Sequence, residues 1–131
     1  MPEVLVSEFI KQLHNRTTGW DELIHEEAEF SLLVFEGRTV KGRDAITHEL
    51  NGWKGRLYKP TAVEVERLDE TTVLVRGFAQ YPLPNRRGHG AGQVWWVDEI
   101  RDGRVWRACG FTNERAARTA YEQGFRSGQE H

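Results

Sequence analysis

The dipeptide Asp102-Gly103 sits between two apolar-rich runs, Gln93 to Ile100 and Arg104 to Phe111. Asp-Gly in such a setting is the turn of a two-residue β-hairpin, because both loop residues need positive φ and these two tolerate it. A two-residue loop pairs Ile100 with Val105, Asp98 with Arg107, Trp96 with Cys109 and Val94 with Phe111, and opposed residues share a sheet face. The other face then carries Gln93, Trp95, Val97, Glu99, Trp106, Ala108, Gly110 and Thr112. Both faces bear large apolar groups. The ribbon must therefore be covered twice, by the chain's own helices on one side and by a second subunit or other cover on the other.

Upstream, Val6, Phe9, Ile10 and Leu13 recur at helical spacing and mark a first amphipathic helix ending near Arg16. Thr18 is placed to cap a short second helix reaching His25, with Trp20, Leu23 and Ile24 on its apolar side. Phe30 to Phe35 is an apolar run too short for an ordinary helix and reads as a strand. A third helix is expected from Arg43 or Asp44 to Trp53, with Ile46, Leu50 and Trp53 on one face and Gly52 and Gly55 ending it. Strands follow at Thr61 to Leu68, Thr72 to Tyr81 and Gly92 to Ile100. Asn113 caps a last helix with Ala116, Ala117, Ala120 and Tyr121 as its seam and Gly124 as its stop. Helices grouped first and strands later argue an α+β layout, with helices on one face of a curved antiparallel sheet. A length of 131 residues suits a single domain over positions 1-131.

A net charge of -2, with lysines and arginines scattered along the chain, argues against a nucleic-acid partner. Cys109 is the only cysteine, so no intramolecular disulfide can form, and its strand position suits a small packed hydrophobe. No apolar run of ~20 residues and no basic leader pattern is present, so no membrane association is expected and the expected location is cytoplasmic. Histidines show no metal-ligand clustering: in His25-Glu26-Glu27-Ala28-Glu29 the second histidine of a zincin helix is replaced by Glu29. No metal and no cofactor are expected. His48 falls on the polar side of its helix, and His14 ends the first helix, where a cation suits the dipole.

Four stretches carry a family resemblance: Trp20 to Phe30, Val40 to Ile46, Arg101 to Val105, and Phe111 to Ala117. Over roughly Phe9 to Gly124 the chain resembles the SnoaL-like branch of the nuclear transport factor 2-like superfamily, whose best-known enzymes are ketosteroid isomerase and polyketide cyclases. The resemblance implies a cystatin-like roll, a cone-shaped curved antiparallel sheet with the N-terminal helices closing one face around a ligand cavity. It turns Trp95, Val97, Trp106, Ala108, Gly110 and Thr112 toward the cavity. It leaves Val94, Trp96, Val105, Arg107, Cys109 and Phe111 on the outer face as the interface of a homodimer. The isomerase needs a tyrosine and a protonated acid as its oxyanion hole and a carboxylate base. The matched positions here are Phe9, Trp95, and Leu32 or Leu33, all apolar, so ketosteroid isomerase chemistry of the usual kind is disfavoured.

Other polar groups could do acid–base work in the same cone. Glu49 lies beside Ile46, Leu50 and Trp53, either desolvated on the inward face or at its edge with its carboxylate in water. Glu99 shares the cavity-side face with Trp106 near the hairpin tip. His89 stands among glycines and arginines in Pro82 to Gly90, a loop that could approach an anion or be a plain turn. Asp98 and Arg107 read as a cross-strand ion pair on the far face. Candidate ligand contacts are Phe9, Leu33, Trp53, Tyr81, Gln93, Trp95, Trp106, Ala108, Gly110 and Thr112, the aromatics suiting a flat apolar molecule and the small residues leaving volume. The same residues could simply fill the cone. The leading expectation is a domain that binds a small apolar organic molecule. The alternatives are an isomerase, cyclase, dehydratase or hydrolase using Glu49, His89 or Glu99, and a dimeric interaction module with a filled cone.

Overall fold

The computed structural model describes residues 1–53, 55–82 and 89–123, and for 81, 82 and 89–91 the backbone only. Helix α1, Pro2–Asn15, buries the stripe Val6, Phe9, Ile10 and Leu13. It ends where Arg16 turns left-handed at φ 54°, its amide reaching back to the carbonyls of Gln12 and Leu13.

The expected second helix is a single short turn, Trp20–Leu23, entered through Gly19 at φ 88°. Strand β1 then runs Ile24–Ser31. The expectation of a helix to His25 and a strand from Phe30 fails because β1 lies parallel to β6, Arg104–Phe111. That pairing sets Ile24 opposite Val105 and Phe30 opposite Ala108. A partner some eighty positions away holds extended a segment whose local pattern looks helical. Leu33–Phe35 folds into another short turn, and β2, Val40–Lys41, adds antiparallel to β1. Helix α2, Arg43–Asn51, stops short of Trp53 and buries Ile46 and Leu50.

A turn at Gly55–Leu57 leads into β3, Thr61–Arg67, β4, Thr72–Pro82, and β5, His89–Arg101. Helix α3, Glu114–Glu122, is capped as expected, the Asn113 side chain accepting from the Ala116 amide at 2.8 Å. Gly124 lies outside the described residues. The six strands form one curved sheet in the order β2-β1-β6-β5-β4-β3, antiparallel throughout except at β1–β6, so the sheet is mixed. Helix α1 lies on the inner side, where Phe9 meets Phe30 edge to face at 6.0 Å.

The hairpin turn forms as the sequence predicts, with Asp102 at φ 54° and Gly103 at φ 73° and Ile100 opposite Val105. Beyond it the register slips by one. Glu99 faces Arg107, which leaves Trp106 as the extra residue of a β-bulge. Because side chains alternate, the slip moves every later partner to the other face. Trp96 therefore stands opposite Gly110, and Asp98 opposite Ala108, not Arg107.

The inner face holds Val94, Trp96, Val105 and Ala108 in the main core. Trp95, Cys109 and Phe111 lie on the outer face around Leu74, Val97 and Ala117, where α3 packs. Half of the face expected to pair two subunits is thus turned inward. A homodimer through the outer face would have to do without Val94, Trp96 and Val105. Among the described residues no helix is long and apolar enough to cross a membrane.

Candidate functional site

Strand β5 sends Val94, Trp96 and Asp98 into the cone at alternate positions. Trp96 is closely packed because Gly110 stands opposite it: a Cβ at Gly110 would lie 3.6 Å from Trp96 Cδ1 and 3.4 Å from Leu33 Cγ. The Trp96 Nε1–H donates to the Tyr58 hydroxyl at 2.9 Å. Tyr58 comes from the segment after the Gly55–Leu57 turn, and that segment is held by a distant cation. The Arg16 guanidinium donates to the carbonyls of Leu50 at 3.0 Å, Gly55 at 2.7 Å and Tyr58 at 3.3 Å. One arginine at the end of α1 thereby ties off α2 and positions the tyrosine.

Next to this pair along β5, Asp98 is 2% exposed and its Oδ1 has no hydrogen-bond partner among the described residues. Burial raises its pKa to about 8, since the charged form has lost its water. Burial also pushes the Tyr58 hydroxyl above the ordinary tyrosine range, with the Asp98 charge adding to the effect. At neutral pH both groups hold their protons. The cone thus contains a carboxylic acid and a phenol, with one carboxyl oxygen unused by the protein. Such a pair can donate hydrogen bonds, and from Asp98 a proton, to an oxygen on a bound molecule. The described inner residues of β1, β4, β5 and β6 offer no second carboxylate.

The residues expected at the site fall in several places. Ala108 and Gly110 face the cone, and Leu33 packs against Gly110. Phe9 is buried in the core against Phe30. Trp53 is 76% exposed, because α2 ends before its apolar stripe reaches that position. Trp95 and the exposed Gln93 lie on the outer face, opposite Arg76 and Phe78, as the bulged register requires. Glu99 is outer as well, buried with its Oε1 3.9 Å from Arg107 Nη1. Trp106 is the bulge residue, with the Arg101 guanidinium 3.8 Å above its ring and His25 against its edge. Thr112 is exposed. Glu49 pairs with Arg38 at 3.0 Å at the surface rather than facing the cone. The side chains of Tyr81 and His89 lie outside the described residues. Sequence reasoning passed over Tyr58 and read Asp98 as a partner of Arg107. The available signal for Asp98 was its place at the same alternate positions of the strand as Val94, Trp96 and Ile100, an acid on an otherwise apolar face.

A helix lying across the inner side of a curved six-stranded sheet, with Tyr58, Trp96 and Asp98 between them, defines a ketosteroid isomerase-like architecture, the nuclear transport factor 2-like fold. The expected fold class is thereby met. No family model matches the sequence, and no curated protein matches it. Solved structures do. A proposed polyketide cyclase of Sinorhizobium meliloti superposes with a TM-score of 0.66 at 20% identity, over 82% of this chain and 94% of that one. TerC, co-crystallised with polyporic acid, gives 0.67 at 16% identity over 94% and 97%. A ketosteroid isomerase-like protein of Catenulispora acidiphila, in complex with trimethylamine, gives 0.64 at 12% identity over 89% and 91%.

Proposed function

We propose that this protein takes up a small, mainly apolar organic molecule bearing a carbonyl or hydroxyl oxygen inside the cone, and that Asp98 acts on that oxygen as a general acid. The observation carrying this reading is the unpartnered Oδ1 of Asp98 in an otherwise apolar interior. An unsatisfied buried polar atom costs about 1–3 kcal/mol, and a ligand group that meets it recovers that cost. Tyr58 supports the same oxygen, because its hydroxyl accepts from Trp96 and keeps its own proton to donate. Aromatic and aliphatic walls exclude water and strengthen both interactions.

Two fold neighbours carry small organic molecules, polyporic acid in one and trimethylamine in the other, which supports the class of ligand. The reaction that fits is protonation of a carbonyl or of a leaving hydroxyl, as in cyclisation or dehydration. Proton transfer between two carboxylates is not part of the proposal, since Asp98 has no acidic partner on the described inner face.

The test is titration with 2-naphthol, a flat phenol whose absorbance reports its ionisation, followed by native mass spectrometry for retained compounds. The wild type should bind naphthol saturably, and Asp98→Asn should weaken binding by about tenfold while leaving the thermal midpoint no lower. Equal binding by wild type and variant would remove Asp98 from the site.

A further inference from the structure

Two adjoining hollows lie away from Asp98, at the other end of the sheet. One, of about 400 Å³, runs between the flank of α1 and the edge strand β3, and is lined by Ile10, Lys11, His14, Val63 and Val65 among others. The second, of about 510 Å³, includes His14, Lys59, Thr61, Phe78 and Ala79 in its wall. His14 and Thr61 line both, so the two meet at the C-terminal end of α1, and the first forms a trough along α1 and β3. Ala79 in the second hollow pairs with Gly92, six residues or ~20 Å along β5 from Asp98, while Val65 in the first lies across β4 from Trp96, on the strand edge away from that carboxyl.

The trough is built by a second bulge. Ala62 pairs with Gly77 and Glu64 with Arg76, leaving Val63 unpaired and turned out. Gly77 permits the close approach, since a Cβ there would collide with the Thr61 carbonyl. The result is an apolar floor open to water: Val63 is 52% exposed, one of the five large apolar side chains exposed among the described residues.

Its charge runs against that of the chain. The protein carries a net -2, yet among the described residues no carboxylate lines either hollow, while Lys11 and Lys59 do. Two nearby acids are paired with arginines, Glu3 with Arg67 at 3.0 Å and Glu64 with Arg76 at 3.3 Å, and Glu8 accepts from the Gln12 amide at 2.8 Å. Lys11 and Lys59 enter no ion pair among the described residues. His14 donates its Nδ1–H to the Pro60 carbonyl at 2.9 Å, which fixes the ring at the junction of the two hollows.

We propose that this trough binds an amphipathic organic anion, a carboxylate with an extended apolar tail. The tail lies on Ile10, Val63 and Val65, and the carboxylate sits at the His14 end, where Lys11 and Lys59 supply the charge. An elongated apolar floor recognises a chain, and unpaired cations beside it favour a charged end over an alcohol.

The test is isothermal titration calorimetry with decanoate and, separately, 1-decanol at low ionic strength, on wild type, on Lys11→Glu/Lys59→Glu and on Asp98→Asn. Decanoate should bind saturably to the wild type and to Asp98→Asn alike, more weakly as salt is raised, and about tenfold or more weakly to the double reversal. 1-Decanol should bind the wild type more weakly than decanoate. Lys11→Gln/Lys59→Gln serves as the second variant if the reversal lowers the melting temperature. Absence of saturable binding, equal affinity for the alcohol, or indifference to both lysine variants overturns the proposal. Loss of decanoate binding in Asp98→Asn alone would place the anion in the interior and overturn it too.

Discussion

The indole of Trp96, in the middle of β5, donates to the hydroxyl of Tyr58 across 2.9 Å, tying the sheet to the segment that follows α2. Both side chains are almost fully buried, so neither finds water when the other is lost.

Trp96→Phe should therefore cost about 2 kcal/mol, from the missing hydrogen bond and the space left by the smaller ring. Trp96→Glu should fail to fold, since it places a charge in the main core where no counter-charge waits. Urea denaturation followed by fluorescence checks the first, and circular dichroism the second. A folded, monomeric Trp96→Glu protein would show instead that this residue lies at a subunit interface.

Asp98 makes stability depend on pH in a defined direction. Its folded-state pKa of about 8 stands above the ordinary 3.8, so between these values the native state holds a proton that the unfolded chain releases. Stability should be highest, as far as this group is concerned, below about pH 4, fall through the interval, and level off above about pH 8. Asp98→Asn removes the titration, so urea midpoints from pH 5 to pH 8 should decline less steeply in the variant. The gain at pH 8 should be on the order of a few kcal/mol. Parallel pH profiles for the two proteins would contradict this environment.

Arg16 joins three carbonyls that close α2 and the Tyr58 segment. Arg16→Ala should cost about 2–3 kcal/mol and speed amide exchange across Gly55–Tyr58. Arg16→Lys should recover little, because an ammonium cannot span the carbonyls as a planar fork does. Hydrogen exchange read by mass spectrometry distinguishes this from a uniform loss of stability.

Cys109 is inert by position. Burial pushes its thiol up to about 12, the Asp98 charge adding to the shift, so little thiolate exists near neutrality. Alkylation by iodoacetamide at pH 8 should be slower in the native protein than in urea by on the order of a hundredfold. Comparable rates would mean that the outer cluster opens readily.

Much of the frame was legible in local pattern. The stripe of α1, the Asp102-Gly103 turn, the Asn113 cap and strands β3 and β4 follow from spacing and turn chemistry that act within a few residues. Two things were not. Strand β1 is decided by its parallel partner β6, and no local signal in His25 to Glu29 announces a partner so remote. The Trp106 bulge is a packing outcome, and a hairpin read without it assigns the inner faces of β5 to the wrong residues. That single slip hid the interior acid, because Asp98 then seemed to answer Arg107. Tyr58 was hidden differently. It stands in an irregular Gly- and Lys-rich connection, and only the Arg16 contacts show why that connection has a fixed course.

The bulge at Trp106 also acts as a spatial reading frame. From Arg107 onward, whether a side chain of β6 points into the cone or away from it depends on that one surplus residue near the turn. Losing it would turn Arg107 inward and Ala108 outward without altering any other residue of the strand. Insertions and deletions within a few positions of the hairpin tip should therefore be far more disruptive than substitutions there. Relatives compared with this chain residue by residue have to be aligned through the bulge before their interior residues can be matched to Asp98.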